Sequence, residues 1–473
     1  MSKAISKAKY LRQLYPFKEP STSIDHLVIG GGVVGLSVAA NLVNTSGKDK
    51  TTFLVERRGQ LGQETTARNS EVIHSGIYYP LGSLKSKLCI RGRDLLYDRC
   101  KRLGINYKNT GKIVVATSPS QIPYLEKLHK HSQDSSFLSN PNDISTSSIF
   151  TKLLSGEEAR ELEPDLSKEV CKGLLIPSTG IIDSQGLVDS LSREIEESEY
   201  NQESLTEDRG EGIIVLGTRV VRIDKEKKGN GWIVQLETNW EGLEEGEKGD
   251  VESVRADIVV NAAGLGAVSL SEGVSGDNED PIKMYAVKGN YMSYKGPGVG
   301  NVSRLIYPCP SANIDHLGIH LTLDLEGNIK FGPDVEIIGN SKDYSINPEF
   351  WEKHLSPNNS IKLINKFFKN VSNYLPLIDL NKLQPDYSGI RPNIVDSSSK
   401  NSKFSDFLIK HDNNNKIGFI ELLGFNSPGL TSSLAIGEYV SKILIQKQIK
   451  GKYSKIGNEQ IKKLEYLSKG WEA

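Results

Sequence analysis

The chain has 473 residues, 37% of them hydrophobic and 25% charged, which is enough for two domains and a large buried core. Its 58 basic and 59 acidic side chains balance and are scattered, so no electrostatic footprint argues for nucleic acid, and an anionic substrate must be held by local charges. Cys89, Cys100, Cys171 and Cys309 form no CxxC pair, which argues against a disulfide framework, a zinc site or a dithiol motif and suits a reducing compartment; Cys309 reads as a small buried hydrophobe.

In chain order, the first 18 residues carry Lys3, Lys7, Lys9, Arg12 and Lys18 with no acid, and Ala4, Ala8, Leu11 and Tyr15 recur at helical spacing. This is the pattern of a basic amphipathic transit peptide, with a solvated N-terminal extension as the alternative. The apolar run 27–43 is interrupted by Gly30, Gly31, Gly32 and Gly35 and falls short of the ~20 residues of a membrane span. It reads instead as strand, glycine turn and helix, with Gly47 ending the helix and TTFLVE forming the next strand. A helix is predicted over 83–103, a strand over 111–118, a helix from Ile122 to about Lys130 and a surface loop over 131–149. A helix over 185–198 and strands near 213–223, 231–238 and 257–264 follow, with the acidic inserts NQESLTEDRGEG and WEGLEEGEKGD read as solvated loops. From 282 to about 384 the pattern turns β-rich, with a helical piece within 350–375, and the chain then returns to strand, loop and helix.

Gly30, Gly32 and Gly35 form GxGxxG directly after an apolar strand, and Glu56 closes the next strand, where a carboxylate can bind ribose hydroxyls. Glycine at these positions permits the tight turn, the approach of backbone to pyrophosphate and the close packing of helix on strand, while the helix N-terminus faces the phosphates. The polar loop GQETTARNSEVIHSGIYY and the small-residue segment DIVVNAAGLGA favour FAD over NAD.

Longer strings then carry a resemblance. NSEVIHSGIYYPLGSLKSKLCIRG (69–92), PSTGIIDS (177–184), VKGNYMSY (287–294), RLIYPCP (304–310), LGIHLTLDLEGNIKFGPDVE (317–336), YSGIRPNI (387–394) and FNSPGLTSSLAIG (425–437) occur in the expected order and span about 25–445. In these strings the chain resembles the D-amino-acid-oxidase-like flavoproteins and, among them, the L-2-hydroxyglutarate dehydrogenase family. The resemblance implies an α/β fold, a Rossmann-type FAD-binding domain with an inserted, β-sheet-rich α+β substrate domain. The expected division is 24–110, 180–275 and 385–450 for the FAD domain, 111–179 and 276–384 for the substrate domain, 1–23 as leader and 451–473 as tail. The resemblance further implies oxidation of L-2-hydroxyglutarate to 2-oxoglutarate as metabolite repair, with FAD as hydride acceptor, and a mitochondrial location, with cytoplasm as the alternative; no Cys or His is placed for a covalent flavin link, so non-covalent FAD is the default expectation and covalent attachment stays undecided.

Oxidising a 2-hydroxy acid needs a base for the hydroxyl proton, a carbon hydrogen aimed at flavin N5 and cations for the carboxylates. His74 is the first choice of base, since imidazole titrates near neutrality; the plainer reading is that it orients the flavin or satisfies a backbone carbonyl. Arg391, kept out of helical geometry by Pro392, is the carboxylate fork, against a structural ion pair. Lys288 and His320 are candidates for the second carboxylate or the hydroxyl, or merely edge a sheet; Tyr78 and Tyr79 line the pocket or pack in the core. Expected cofactor contacts are Gly30, Gly32, Val33, Val34 and Gly35; Glu56 and Arg57; Thr65, Thr66, Arg68, Asn69 and Ser70; Val220; Ala262, Ala263 and Gly264; and Gly389 with Arg391. They end with Asn426, Ser427, Gly429, Leu430 and Thr431, whose helix N-terminus lies beneath the flavin pyrimidine edge, or is simply capped by Ser427 or Thr431. No metal ligand set and no transmembrane helix is expected, peripheral membrane contact stays open, and no motif identifies the electron acceptor among oxygen, a quinone and an electron-transfer flavoprotein. Rival readings are an amino-acid or glycerol 3-phosphate oxidase of the same fold, an NAD-dependent dehydrogenase, and an inactive flavin-binding module.

Overall fold

The computed structural model describes residues 12–134, 149–197, 209–244, 246–275, 282–310, 318–340, 354–356, 359–395, 404–411 and 418–452. Residues 1–11 of the predicted leader, 135–148 of the predicted surface loop, most of the first acidic insert and nearly all of the C-terminal tail lie outside that set.

Two large sheets carry the fold. In the first, the strand Thr22–Ile29 lies parallel to Thr51–Val55 on one side and to Asp250–Asn261 on the other. Glu211–Val215 adds parallel beyond Thr51–Val55, and Phe419–Leu423 adds parallel to the end of Asp250–Asn261. Leu27, Val28 and Ile29 are buried in succession, as a parallel strand covered on both faces requires. One face is covered by the helices Val33–Thr45, Ser184–Glu196 and Gly429–Lys452, with Leu84–Leu103 packed outside them; Leu36, Val43, Leu96, Leu187, Ile436 and Val440 share that core. On the other face Leu27, Ile29, Trp232 and Phe419 pack together, with Leu270 and Val274 of the helix Ala267–Ser275 against them. This is a Rossmann-type dinucleotide domain.

The strand predicted near 257–264 begins earlier, at Asp250, because its first half pairs antiparallel with Trp232–Thr238 before its second half joins the parallel sheet. The hairpin joining these strands contains the second acidic insert, which is not simply solvated. Trp240 is buried, donates from Nε1 to the Gly217 carbonyl (3.1 Å) and lies under the Arg219 guanidinium. Residues from Arg12 to Ser21 also pack on this sheet: the buried Tyr15 hydroxyl donates to the Glu237 carboxylate, and Lys18 N–H donates to Gln235 Oε1. That part of the basic segment is anchored rather than a free extension.

Among the described residues the second sheet has nine strands. Lys283–Tyr294 sits between Leu383–Val395 and Glu336–Asn340, and the sheet continues through Ile329–Phe331, Leu321–Leu323, Leu305–Pro308, Lys112–Ala116 and Lys172–Ile176 to Lys152–Ser155. The helices Ile122–Ser132 and Ile361–Val371 cover it, the latter the described part of the helical piece expected within 350–375. Leu383–Val395 is the structural bridge, since it belongs to this sheet while its second half runs alongside the loop 64–70 of the dinucleotide domain. Among the described residues no helix is long and apolar enough to cross a membrane, and no group of acidic, His and Cys side chains could hold a metal ion. All four cysteines are free.

Candidate active site

A cavity of about 1480 Å³ runs between the two sheets, larger than the ~300–1,000 Å³ of common small-ligand pockets and suited to a dinucleotide plus a substrate. One half is the glycine turn. Gly30 has φ +109°, and a Cβ there would stand 2.6 Å from the Ala262 carbonyl oxygen. Gly35 does not line the cavity; a Cβ on it would stand 2.0 Å from the Gly30 carbonyl oxygen, so glycine is required for the helix to leave the strand at this angle. Glu56 is held beside the turn, accepting from Gly31 N–H (2.7 Å) and Arg58 N–H (2.8 Å), while burial pushes its carboxyl upward. Thr66 Oγ1 accepts from Val33 N–H (3.1 Å), laying the polar loop over the helix N-terminus. A backbone cradle closed to any Cβ, a carboxylate at the end of the second strand and a helix N-terminus facing the cavity together fit FAD.

The loop 64–79 reaches from this half to the other. Thr65 Oγ1 donates to the Ile390 carbonyl (2.9 Å) and Tyr387 donates to the Asn69 carbonyl (2.6 Å). Gly389 lets the strand approach so closely that a Cβ would stand 2.0 Å from the Arg68 carbonyl oxygen. These ties bring Arg391 and His74, 317 positions apart in sequence, into one cavity lining with Tyr78, Tyr79 and His320.

Every expected contact lines the cavity except Gly35, Thr431 and Lys288. Thr431 is not a helix cap: its hydroxyl accepts from His74 N–H (3.0 Å) and donates to the Val72 carbonyl (3.1 Å), fixing the loop that carries His74. Lys288 sits on the strand that gives Gly289 and Tyr291 to the cavity; side-chain alternation turns it to the opposite face. His74 Nε2 lies 3.4 Å from Ser427 Oγ, while its buried Nδ1 has no partner among the described residues. Burial, assisted by the charge on Lys112, pulls the His74 imidazole down to about 3. Burial likewise holds His320 well below the usual histidine range, with Lys112, His74 and Arg391 adding to the effect. Arg391 Nη2 donates to the Asp334 carbonyl (3.3 Å) over the space left by Gly289, and among the described residues it pairs with no carboxylate. By contrast Arg57, Arg219 and Arg222, which also line the cavity, are each paired with an acid.

Sequence reasoning missed Tyr291 and Tyr307, and Trp240, Gly242 and Gly246 of the second acidic insert, which line the cavity, and Lys112, which stands behind two of its rings. Tyr307 lay inside the string RLIYPCP, but only its stacking on His320 (ring centroids 3.7 Å apart, planes 3° off parallel) reveals its position.

Comparison with known proteins agrees with this geometry. The family described as FAD dependent oxidoreductase matches residues 25–443. The "L-2-hydroxyglutarate dehydrogenase, mitochondrial" of Arabidopsis thaliana is 35% identical over 431 residues, covering 88% of this chain and 83% of the plant protein. The protein of the same name from Pongo abelii is 30% identical over 332 residues, covering 68% of this chain and 70% of that one. Among solved structures, the dithionite-reduced L-alpha-glycerophosphate oxidase of Mycoplasma pneumoniae with FAD bound shares the fold, with a TM-score of 0.67 at 24% identity over 89% of this chain and 94% of that one.

Proposed function

The chain belongs to the FAD-dependent oxidoreductases and, within them, to the L-2-hydroxyglutarate dehydrogenase family, so that FAD is its cofactor and a hydroxy acid its kind of substrate; from that premise we propose that it oxidises L-2-hydroxyglutarate to 2-oxoglutarate. The observation that carries the reading is the meeting of an arginine without an acidic partner and a neutral buried histidine at one end of the dinucleotide cavity. Bound FAD supplies, at flavin N5, the acceptor for the hydride that leaves the hydroxyl-bearing carbon.

The chain's own residues supply the rest. Arg391 binds the carboxylate next to that carbon with its planar fork, which fixes the face of the carbon presented. His74 takes the hydroxyl proton at Nε2, the ring nitrogen beside Ser427. In the free site it is uncharged and ready to accept. Incoming carboxylates offset the positive charge of Arg391 and Lys112 and so raise its basicity when a proton must be taken. Loss of hydride from carbon and of the proton from oxygen leaves the 2-oxo acid. The first turn of Gly429–Lys452 offers backbone N–H groups toward the cavity, a fixed positive field for charge gained by the cofactor.

Such an enzyme removes the L-2-hydroxy acid formed when a dehydrogenase misreduces 2-oxoglutarate. A mitochondrial location is inferred from the names of both relatives and the acid-free basic composition of residues 1–18. The test is anaerobic reduction of the purified flavoprotein by L- and D-2-hydroxyglutarate separately. We expect bleaching by the L form, slowed by about 10²–10⁴ in His74→Ala with FAD retained. For Arg391→Ala we expect weaker substrate saturation by on the order of 10²-fold. Bleaching by glycine, sarcosine or D-amino acids but not by L-2-hydroxyglutarate sinks the reading in favour of an amine oxidase.

A further inference from the structure

Lys112 opens the strand Lys112–Ala116 in the interior of the second sheet, between Leu305–Pro308 and Lys172–Ile176. Its side chain has no solvent exposure, and Nζ has no hydrogen-bond partner among the described residues. Instead Nζ lies 4.4 Å from the ring centre of Tyr78 and 4.5 Å from that of Tyr307. The Tyr307 ring thus contacts both the stacked His320 imidazole (centroids 3.7 Å apart) and Nζ. Tyr78, Tyr307 and His320 all line the cavity, and Lys112 stands directly behind them.

An ammonium buried this way is costly, and an apolar side chain of the same length would pack more cheaply if packing were its whole purpose. Among the described residues no acid offsets it from the neighbouring elements. Cys89 of Leu84–Leu103 is pushed up to about 12 by burial and so is neutral; His74 and His320 also face Lys112, and Tyr79, Tyr124, Tyr291 and Cys309 face its two tyrosine rings, none of them a carboxylate. The cavity-lining acids Glu56, Glu64, Glu244, Glu247 and Glu272 all belong to the dinucleotide half. Among the described residues, Arg391 and Lys112 stand at this end of the cavity without an ion-pair partner, and Arg68, which lines the cavity from the loop 64–70, donates only to the Ser388 carbonyl (3.4 Å).

We propose that Lys112 is a positioning residue that selects substrates bearing a second carboxylate, giving the cavity end lined by Tyr78, Tyr307, His74 and His320 a positive potential through the two tyrosine rings. The inference rests on the 2-hydroxy-dicarboxylate reading above and deepens it. Arg391 takes the carboxylate beside the reacting carbon, and the far one comes to rest in the field of Lys112. A cation behind a ring also strengthens the Tyr307 hydroxyl as a donor to such an anion. Burial draws the Lys112 ammonium down to about 7, so a bound carboxylate is what keeps it charged above neutrality.

The experiment titrates the oxidised holoenzyme with 2-oxoglutarate and with 2-oxopentanoate, which has the same five-carbon chain with a methyl in place of the far carboxylate, following the flavin spectrum. Lys112→Met is expected to weaken 2-oxoglutarate by on the order of tenfold while moving 2-oxopentanoate by less than about twofold, with Lys112→Arg recovering part of the loss. Proportionate weakening of both ligands overturns the inference. Should Lys112→Met fail to retain FAD, the wild-type enzyme decides. Between about pH 6 and about pH 9 the affinity for 2-oxoglutarate must fall while that for 2-oxopentanoate stays level, and parallel profiles overturn the proposal. Failure of L-2-hydroxyglutarate to bleach the wild-type flavin defeats the underlying function instead, so the two failures are told apart.

Discussion

Thr431 is fully buried between the loop that carries His74 and the first turn of the C-terminal helix, and its one hydroxyl serves both neighbouring backbone groups of that loop. Replacing it with valine keeps the shape but strands His74 N–H and the Val72 carbonyl, each at a cost of about 1–3 kcal/mol. Thr431→Val is therefore expected to slow anaerobic flavin reduction and lower thermal stability, with Thr431→Ser restoring both; a variant as fast as wild type removes Thr431 from the positioning of His74. At this scale the sequence was legible where a residue type announces its chemistry. His74 and Arg391 stood out as an imidazole and a guanidinium in polar loop and X-Pro contexts. Lys112 was illegible, since in GKIVVATS it reads as the polar start of a strand. Its burial depends on Tyr78 and Tyr307, which come from other parts of the chain. Lys288 misled for the converse reason: the strand is right, but side-chain parity relative to the cavity is set by pairing partners that the sequence does not display.

Gly92 governs the contact between two elements. It lies in Leu84–Leu103, where a Cβ would stand 2.1 Å from the Thr431 carbonyl oxygen and 2.8 Å from Ser432 Cα, both backbone atoms that cannot swing aside. The helix itself is well specified, with Ser83 accepting from Ser86 N–H at its start and Gly104 in the left-handed region (φ +69°) at its end. Gly92→Ala must push it off the C-terminal helix and carry Thr431 away from the loop it holds. A loss of about 1–3 kcal/mol and slowed flavin reduction are expected together, checked by thermal melts and single-turnover bleaching; a loss of stability with no change in rate separates the two helices from the site. Elements with a strong local pattern, such as the helix predicted over 83–103 and found at Leu84–Leu103, were readable within a residue or two. The long strand Asp250–Asn261 was read only from Asp257, because its charged first half gains its identity from the antiparallel partner Trp232–Thr238. The acidic insert beside it was taken for solvent-facing chain because composition alone does not show that Trp240 is tethered to Gly217.

Across the whole molecule, pH acts through histidines kept neutral by burial. His26, in the middle of the first strand with Nδ1 3.0 Å from Thr52 Oγ1, is pulled down to about 4 by burial, and His74 and His320 are also lowered. With a folded value below the unfolded one, the unfolded chain binds more protons between about 6.5 and about 4, so stability is complete above about 6.5 and is lost as pH falls through that window. By pH 5 the loss for His26 is on the order of 2 kcal/mol. Melting the holoenzyme at pH 7.5 and pH 5, we expect His26→Gln to narrow the difference between the two by about that amount; an unchanged difference rules His26 out as a source of acid sensitivity. The general architecture, a parallel dinucleotide sheet interrupted by a β-rich insert, was legible from the order of apolar runs. How the sheets meet was not, because the bridge through Leu383–Val395 depends on close backbone approaches such as Gly389 to Arg68.

The first sheet joins Thr22–Ile29 and Phe419–Leu423 to the same strand, and the loop with His74 is pinned by Thr431. A ribosome that has released only the first 400 residues therefore holds a chain in which the dinucleotide sheet lacks a parallel strand and the loop carrying His74 lacks its anchor. Synthesis must thus pass Thr431 before the cofactor has a finished place to bind.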